Sequence, residues 1–260
     1  MNILVTGGTG TLGRALVPML KAQGHTVRVF TRRTPDDAGA VQALQGDLTT
    51  GAGLESAVAG IDAVIHAASA TTQMTQGRAI DVEGTRRLLT AARQAGVGHA
   101  ILISIVGIDD VDYPYYRTKL AAEAVVKEAI VPWTILRATQ FHDLMVFGLG
   151  LFNRLPGMIA VPRRWRFQPV DTRDVAAKLV EIAAGPPSGT RADFGGPEVR
   201  DFESIARSWL AAHRLNKRLV NLPLPFRASR QVAAGHLLCP DHRDGTITFE
   251  QYLRRRYPKV

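Results

Sequence analysis

Residues 3–13 read ILVTGGTGTLG, an apolar run followed at once by a glycine-rich turn and the start of a helix-like segment. In a strand, turn and helix of this kind, backbone N–H groups and the helix dipole hold a pyrophosphate. Gly7 allows the tight turn, Gly10 lets the backbone approach the phosphates, and Gly13 lets the helix pack closely on the strand. Ordinary loops also carry glycines at this spacing, so the stretch predicts a dinucleotide site only in the right context.

The second predicted strand supplies that context and indicates which cofactor is bound. It covers residues 26–30 and runs into Thr31-Arg32-Arg33, where no acid is present. An acid here would hydrogen-bond a ribose 2′-hydroxyl, whereas an arginine would pair with a 2′-phosphate. Arg32 and Arg33 therefore favour NADP(H) over NAD(H), with a solvated basic loop end as the alternative.

Strands and helices alternate through the first two-thirds of the chain, and this order predicts the fold. It is typical of a parallel sheet with helices on both faces. We therefore expect an α/β protein, with a Rossmann-type doubly wound parallel sheet over residues 1–140. Residues 141–260 are expected to return partly to this core and to form a small, mainly helical substrate lid.

Composition bounds the class of protein. The chain has 260 residues, of which 46% are hydrophobic and 21% charged, as in ordinary soluble proteins. Its first strand begins at residue 2, and its most apolar stretch, residues 144–152, is too short to span a bilayer. We expect a cytoplasmic protein with no membrane span, and the apolar stretch suggests a greasy substrate entrance.

The net charge of +9 lies in the second half of the chain, where residues 131–260 carry 20 Lys/Arg and 11 Asp/Glu. These arginines are scattered without aromatic interleaving, which favours a solvated surface over a nucleic-acid partner. The single cysteine, Cys239, is expected to be a buried small side chain. No His, Cys, Asp and Glu cluster has metal-ligand spacing, so no metal is predicted.

The strongest chemical signal is the segment YYRTK at residues 115–119. Tyr115 and Lys119 are four residues apart and share one helix face. A neighbouring ammonium lowers the pKa of a phenol, which can then act as a general acid or base on a carbonyl or alcohol. Ser104, at the end of the fifth predicted strand, could orient the reacting oxygen. The alternative is that Tyr115 is a packing aromatic at a helix start.

Together these motifs resemble a short-chain dehydrogenase/reductase of the extended or atypical branch, which includes the NmrA-like NAD(P)-binding proteins. The resemblance covers roughly residues 1–180, and its pieces occur in the family's order. Besides the segments above, the matching pieces are Gly46-Asp47-Leu48, His66-Ala67-Ala68-Ser69, Asp81-Val82-Glu83-Gly84-Thr85, Leu136-Arg137-Ala138-Thr139-Gln140-Phe141 and Asp171-Thr172-Arg173-Asp174-Val175-Ala176.

The resemblance implies a nearly complete cofactor site. The three glycines would bind the pyrophosphate, and Tyr115 would be the proton donor with Ser104 as its helper. Lys119 would hold the nicotinamide ribose. The other implied contacts are backbone N–H groups from Thr9, Thr11 and Leu12, the adenine ring at Asp47 and Leu48, the adenosine ribose at Ala67 and Ala68, and the nicotinamide at Thr139, Gln140 and Phe141.

The expected function is that of an NADP-dependent oxidoreductase, which moves a hydride to or from a carbonyl or quinone-like small molecule. Many extended members carry an asparagine where this chain has Asp81, so a proton-relay role at that position is left open. Two alternatives are a non-catalytic NADP(H)-sensing regulator of NmrA type and an epimerase or dehydratase that keeps its cofactor. The substrate is expected to be a small, apolar molecule, and the protein a monomer or homodimer.

Overall fold

A computed structural model describes residues 1–32, 42–70, 77–190 and 192–258. In chain order its strands are β1 (Asn2–Thr6), β2 (Thr26–Thr31), β3 (Gln42–Gln45), β4 (Ala63–His66), β5 (His99–Ile105), β6 (Trp133–Ala138), β7 (Met158–Val161), β8 (Arg166–Phe167), β9 (Gly189–Thr190), β10 (Arg200–Asp201) and β11 (Arg218–Asn221). Its α-helices are α1 (Thr11–Ala22), α2 (Leu54–Val58), α3 (Gly84–Gln94), α4 (Pro114–Lys127), α5 (His142–Phe152), α6 (Thr172–Ala184), α7 (Phe202–Ala212), α8 (Arg227–Ala234) and α9 (Phe249–Arg256).

Seven strands of the described chain form one sheet, in the order β3-β2-β1-β4-β5-β6-β9. Its centre is parallel, with Val5 of β1 opposite Val29 of β2 on one side and Ile65 of β4 on the other. Reversal of the strand order at β1 is the mark of a doubly wound sheet. The predicted Rossmann-type fold is therefore confirmed.

The main core lies on one face of this sheet. Leu4, Val64 and Leu102 project from neighbouring strands and pack with Leu88 of α3 and Val125 of α4. All five side chains are buried. Strands covered on both faces read as continuous apolar runs, which is why β1 and β5 are recognisable in the sequence.

The chain divides into two compact units. The first comprises Met1–Ser104, Pro114–Arg137 and Val175–Ala192 and contains the large sheet. The second comprises Ile105–Tyr113, Ala138–Asp174 and Asp193–Val260. Within the second unit β7 pairs with β11 in parallel, and β8 pairs with β10 antiparallel.

Several local elements differ from the sequence-based expectations. The basic strand expected at residues 163–168 is only the two residues of β8, and the short strands β7, β9, β10 and β11 were not expected. The helix expected at residues 79–95 begins as a π-helical segment, Arg78–Glu83, before α3. Cys239 is buried as predicted, and burial raises the pKa of its thiol to about 12.

Candidate active site

The glycine turn between β1 and α1 is built as its sequence predicts. Gly7 has a φ of +71°, in the left-handed region that favours glycine. A Cβ on Gly7 would lie 2.7 Å from the carbonyl carbon of Ala67 and from the backbone nitrogen of Ala68. The turn thus lies directly against the chain that leaves β4.

Gly10 and Gly13 are glycines for different reasons. A Cβ on Gly13 would lie 2.3 Å from the Gly7 carbonyl oxygen, so close packing of α1 requires glycine there. Gly10 has an ordinary φ of −76°, and its Cβ would meet only the Gly7 oxygen, at 3.1 Å. No described residue fills the space beside Gly10, and its position before α1 fits the close approach of a phosphate.

Asp47 and Arg32 lie near the predicted adenosine end of the site. Asp47 accepts hydrogen bonds from the Thr49 nitrogen at 2.7 Å and the Thr49 hydroxyl at 2.8 Å, and these bonds, aided by the positive charge of Arg32, lower the pKa of Asp47. Arg32 is exposed just after β2. Leu48 is buried in the core, and Arg33 lies outside the described residues.

His66, at the end of β4, is a buried structural side chain. Its Nδ1 lies 2.6 Å from the Thr6 hydroxyl and its Nε2 lies 2.9 Å from the Thr85 hydroxyl. Burial, with a smaller effect of the Lys119 charge, lowers the pKa of His66 to about 3. The imidazole is therefore neutral at physiological pH and links the turn to α3.

Tyr115 and Lys119 share the first turns of α4, and each reaches the same acidic group. The Tyr115 hydroxyl lies 2.9 Å from Ser69 Oγ, which donates a 2.6 Å hydrogen bond to Asp81 Oδ1. Lys119 Nζ lies 3.9 Å from Asp81 Oδ1 and donates to the Ile103 carbonyl oxygen at 3.1 Å. No role was predicted for Ser69 from the sequence, although it is the last residue of the motif His66-Ala67-Ala68-Ser69.

Asp81 is the centre of this network and is held in one position. It is 1% exposed, and its Oδ2 accepts a 2.9 Å hydrogen bond from the Ala70 nitrogen. Its carbonyl oxygen accepts a hydrogen bond from the Thr85 hydroxyl. Asp81 lies within the π-helical segment Arg78–Glu83, and its carboxylate is in contact with both Ser69 and Lys119.

Ser104 is not part of the hydrogen-bonded group around Tyr115. Its Oγ is buried and makes no hydrogen bond to a described residue, and Ser69 occupies the place beside the phenol. Ser104 instead faces Glu123 of α4. Burial raises the pKa of Glu123, but hydrogen bonding to Arg137, with smaller contributions from the charges of Arg137 and Lys127, brings it below its usual range. A role for Ser104 in proton transfer stays a prediction.

The three residues expected beside the nicotinamide follow β6, in the second unit. Thr139 Oγ1 accepts a 3.1 Å hydrogen bond from the Gly196 nitrogen, and Phe141 forms a β-bridge with Val170. Gln140 is 5% exposed, and neither polar atom of its side chain has a partner among the described residues. A buried amide without a partner suits a residue that bonds a bound polar group.

Residues 1–32, 42–70, 77–190 and 192–258 hold no group of three or more His, Cys, Asp or Glu side chains placed to bind a metal ion. Within the same ranges, no helix is both long and apolar enough to cross a membrane.

Known proteins resemble this chain in sequence and in fold. A family model described as NAD(P)H-binding matches residues 7–184. The chain is 31% identical over 209 residues to the (4-alkanoyl-5-oxo-2,5-dihydrofuran-3-yl)methyl phosphate reductase of Streptomyces griseus, an alignment that covers 75% of this chain and 68% of that protein. It is 29% identical over 240 residues to the ceramide reductase of Caulobacter vibrioides, with 86% and 74% covered.

A solved structure extends the likeness of the fold over nearly the whole chain. The NADPH-dependent quinone oxidoreductase of Escherichia coli, complexed with NADPH, aligns with a TM-score of 0.79 at 16% identity. The alignment covers 98% of this chain and 99% of that chain. Among four curated relatives that it matches, the chain spans between 54% and 74% of the relative's length.

Proposed function

The chain belongs to the NAD(P)H-binding family, as an atypical short-chain dehydrogenase/reductase, and from this premise we propose that it reduces a carbonyl or quinone-like small molecule with NADPH. One observation carries the proposal. Tyr115 stands 2.9 Å from Ser69 Oγ, and through it the phenol is connected to the buried Asp81–Lys119 pair. A phenol connected in this way to ionisable groups can release and regain a proton.

The glycine turn would hold the cofactor. Gly7 and Gly13 shape the turn, and the Gly10 N–H donates a 2.9 Å hydrogen bond to the Gly7 carbonyl oxygen. The lack of a side chain at Gly10 would let the pyrophosphate approach the start of α1, where the N–H groups of Thr11 and Leu12 would bind it. Bound NADPH supplies the hydride. Arg32, exposed after β2, would pair with the 2′-phosphate and so favour NADPH over NADH.

The hydrogen bonds define a path for the proton. Ser69 has one hydroxyl hydrogen, which it donates to Asp81, so Tyr115 donates its own hydrogen to Ser69 while Asp81 is ionised. In this state the Tyr115 oxygen is ready to accept a proton from an alcohol. When Asp81 carries a proton, the direction of each hydrogen bond is reversed. Asp81 then donates to Ser69, Ser69 donates to Tyr115, and the Tyr115 hydroxyl hydrogen can be donated to a substrate oxygen.

In the reducing direction each turnover therefore moves protons along this row of residues. Tyr115 gives its proton to the substrate oxygen, Ser69 reprotonates the phenolate, and Asp81 returns a proton to Ser69. Asp81 must then take up a proton from solvent. An asparagine amide at position 81 would not store that proton, so the departure from many extended relatives gives Asp81 a role.

Lys119 stabilises the charges that this transfer creates. Its ammonium group is buried and lies 3.9 Å from Asp81 Oδ1, which places a positive charge beside the residues that exchange the proton. We also assign it the nicotinamide ribose, as the family resemblance implies. Tyr115 is thus the catalytic residue, whereas Ser69 and Asp81 act through it.

The names of two relatives and the exposed side chains of α5 suggest the class of substrate. One relative is named a ceramide reductase and another a phosphate-ester reductase, and both names indicate reduction of a larger organic molecule. The exposed side chains of α5, Phe147 and Leu151, suit an apolar substrate. We therefore propose that apolar carbonyl compounds and quinones be tested first.

Replacement of Tyr115 by phenylalanine tests the function. Tyr115→Phe should lower kcat by about 10²- to 10⁴-fold, because it removes general acid catalysis, while the affinity for NADPH is unchanged. Tyr116→Phe, which removes the neighbouring hydroxyl of the same helix, is the matched control and should retain wild-type turnover. Full activity in Tyr115→Phe would refute the assignment.

The regulator alternative predicts a different result. A sensor would bind NADPH and NADP with very different affinities and would turn over no member of a carbonyl and quinone panel. An epimerase or dehydratase would convert its substrate without net oxidation of NADPH. Product analysis beside NADPH absorbance separates all three.

A further inference from the structure

Two segments of the second unit contain no acidic residue. Residues 144–170 carry four arginines and residues 204–240 carry six Lys/Arg, and neither segment contains an aspartate or glutamate. The two segments meet in the fold, because β7 of the first pairs along its length with β11 of the second. Together they contribute ten Lys/Arg, of which Arg163, Arg207 and Arg227 pair with acids outside the two segments, Glu203 and Asp112.

The same segments carry most of the exposed apolar side chains. Of the ten large hydrophobic residues exposed in the described chain, seven lie in residues 144–170 and 204–240. Leu144, Phe147 and Leu151 are spaced by three and four residues and so lie along one face of α5. Phe147 is 54% exposed and Leu151 is 45% exposed.

Apolar and cationic side chains adjoin each other at the β7–β11 pair. Met158 is opposite Arg218, and both are exposed, while the next pair, Ile159 and Leu219, is buried. Facing residues of a strand pair project from the same side, so Met158 and Arg218 share the outer face. Lys217 Nζ donates a 2.9 Å hydrogen bond to the Leu155 carbonyl oxygen, which places a second cation beside exposed Leu155.

The arginines without ion pairs and the exposed apolar side chains of this region together indicate what kind of partner it binds. Neither Arg154 nor Arg218 forms an ion pair with a described residue. Large exposed apolar side chains are costly in water and are unsuited to a phosphate backbone. Apolar side chains beside cations without ion pairs match the interface of an anionic bilayer. There the apolar side chains contact the acyl chains, and the cations contact the anionic headgroups.

We propose that this face, defined by α5 and the β7–β11 pair, docks the protein on the surface of an anionic membrane. Leu144, Phe147 and Leu151 enter the boundary between headgroups and acyl chains, and Arg154, Lys217 and Arg218 contact the headgroups. This face shares Phe147 and Leu151 with the proposed apolar substrate entrance, but it includes none of the residues assigned to the cofactor or to proton transfer. Membrane binding is therefore measured without cofactor or substrate, and its failure would leave the proposed reductase activity untouched.

Vesicle flotation tests the proposal with the full chain. The wild type should float with phosphatidylcholine vesicles that contain phosphatidylglycerol, and should stay in solution with phosphatidylcholine alone. Added NaCl should weaken the binding, because it screens the charges. Arg154→Gln with Arg218→Gln should weaken it by about fivefold for each arginine, and Phe147→Ser with Leu151→Ser by at least about tenfold.

Matched controls lie in the first unit. Ile130→Ser removes an exposed apolar side chain, and Arg87→Gln with Arg93→Gln removes two exposed arginines. Both should float as the wild type does, and thermal unfolding should show that every variant is folded.

Several outcomes would overturn the proposal. These are no binding by the wild type, equal binding to neutral vesicles, or equal losses in the controls. Preferential binding to duplex DNA that survives Phe147→Ser with Leu151→Ser would identify a nucleic-acid surface instead. Dissociation of a dimer by the same pair, with vesicle binding unchanged, would identify a contact between two copies of the chain.

Discussion

Replacing Gly10 by alanine separates the requirements of the cofactor from those of the fold. The new Cβ would meet only the Gly7 carbonyl oxygen, at 3.1 Å, and φ of −76° is allowed for alanine. Alanine also reduces the entropy of the unfolded chain, which contributes about 0.4–1 kcal/mol and offsets the tight contact. We expect the free energy of unfolding of Gly10→Ala to stay within about 1 kcal/mol of the wild type.

Cofactor binding should respond much more strongly. If the pyrophosphate approaches the backbone at Gly10, a methyl group there weakens one charge-assisted hydrogen bond, which is worth about 1.5–3 kcal/mol. The affinity for NADPH should therefore fall by about ten- to hundredfold. Fluorescence titration with NADPH measures the affinity, and denaturant unfolding measures the stability.

Gly13→Ala is the matched comparison. Its Cβ would lie 2.3 Å from the Gly7 oxygen and 2.4 Å from the Gly8 Cα, both of them backbone atoms. Overpacking of this kind costs about 1–3 kcal/mol, so Gly13→Ala should lose stability as well as affinity. Wild-type NADPH affinity in Gly10→Ala would refute the placing of the phosphates at this turn.

Three further predictions concern charge. Burial lowers the pKa of His66 to about 3 in the folded protein, whereas in the unfolded chain it keeps its ordinary value of about 6.5, so the free energy of unfolding should fall by up to about 5 kcal/mol between pH 7 and pH 3. Urea unfolding of His66→Asn should show a flatter pH dependence of this free energy, and the same dependence as in the wild type would contradict the burial argument. Arg137 donates hydrogen bonds to both carboxylate oxygens of buried Glu123, at 2.9 and 2.7 Å, so Arg137→Met should lower the free energy of unfolding by about 3–5 kcal/mol, measured by denaturant unfolding. Adding Glu123→Gln should recover part of that stability, and no recovery would show that the ion pair is not the cause. Arg32→Ala should weaken NADPH binding by at least about tenfold and leave NADH binding unchanged, and the control Arg93→Ala should bind both cofactors as the wild type does. Equal losses of affinity for both cofactors in Arg32→Ala would exclude a contact with the 2′-phosphate.

Much of the first unit could be predicted because its signals are local. The apolar runs of β1 and β5 are buried strands, and the glycine turn needs its left-handed Gly7 and its close approach at Gly13. The i, i+4 spacing of Tyr115 and Lys119 places them on one face of α4. Each of these features is determined by residues that are adjacent in the chain or one helical turn apart.

The unexpected features depend on contacts between distant residues. Ser69 gains its role only because the fold brings residues 69, 81 and 115 together. The strands β7 and β11 have four residues each, and their pairing joins positions about 60 residues apart, which no periodicity reveals. Ser104 lies near the end of β5 as expected, yet its buried Oγ forms no hydrogen bond to Tyr115 or to any other described residue.

The π-helical segment Arg78–Glu83 has a consequence for how this protein can change its chemistry. A π-helical turn contains about one residue more than an α-helical turn. The side chains within and before Arg78–Glu83 are therefore rotated about the helix axis relative to the positions that a continuous extension of α3 would give them. Deleting a single residue there would let the chain run on as an ordinary α-helix and rotate position 81 by about 100°. The acid would then turn away from Ser69 and Lys119 while the sheet stayed intact. Deletion of one residue in this segment would thus remove Asp81 from the proton path and leave a protein that still binds the cofactor.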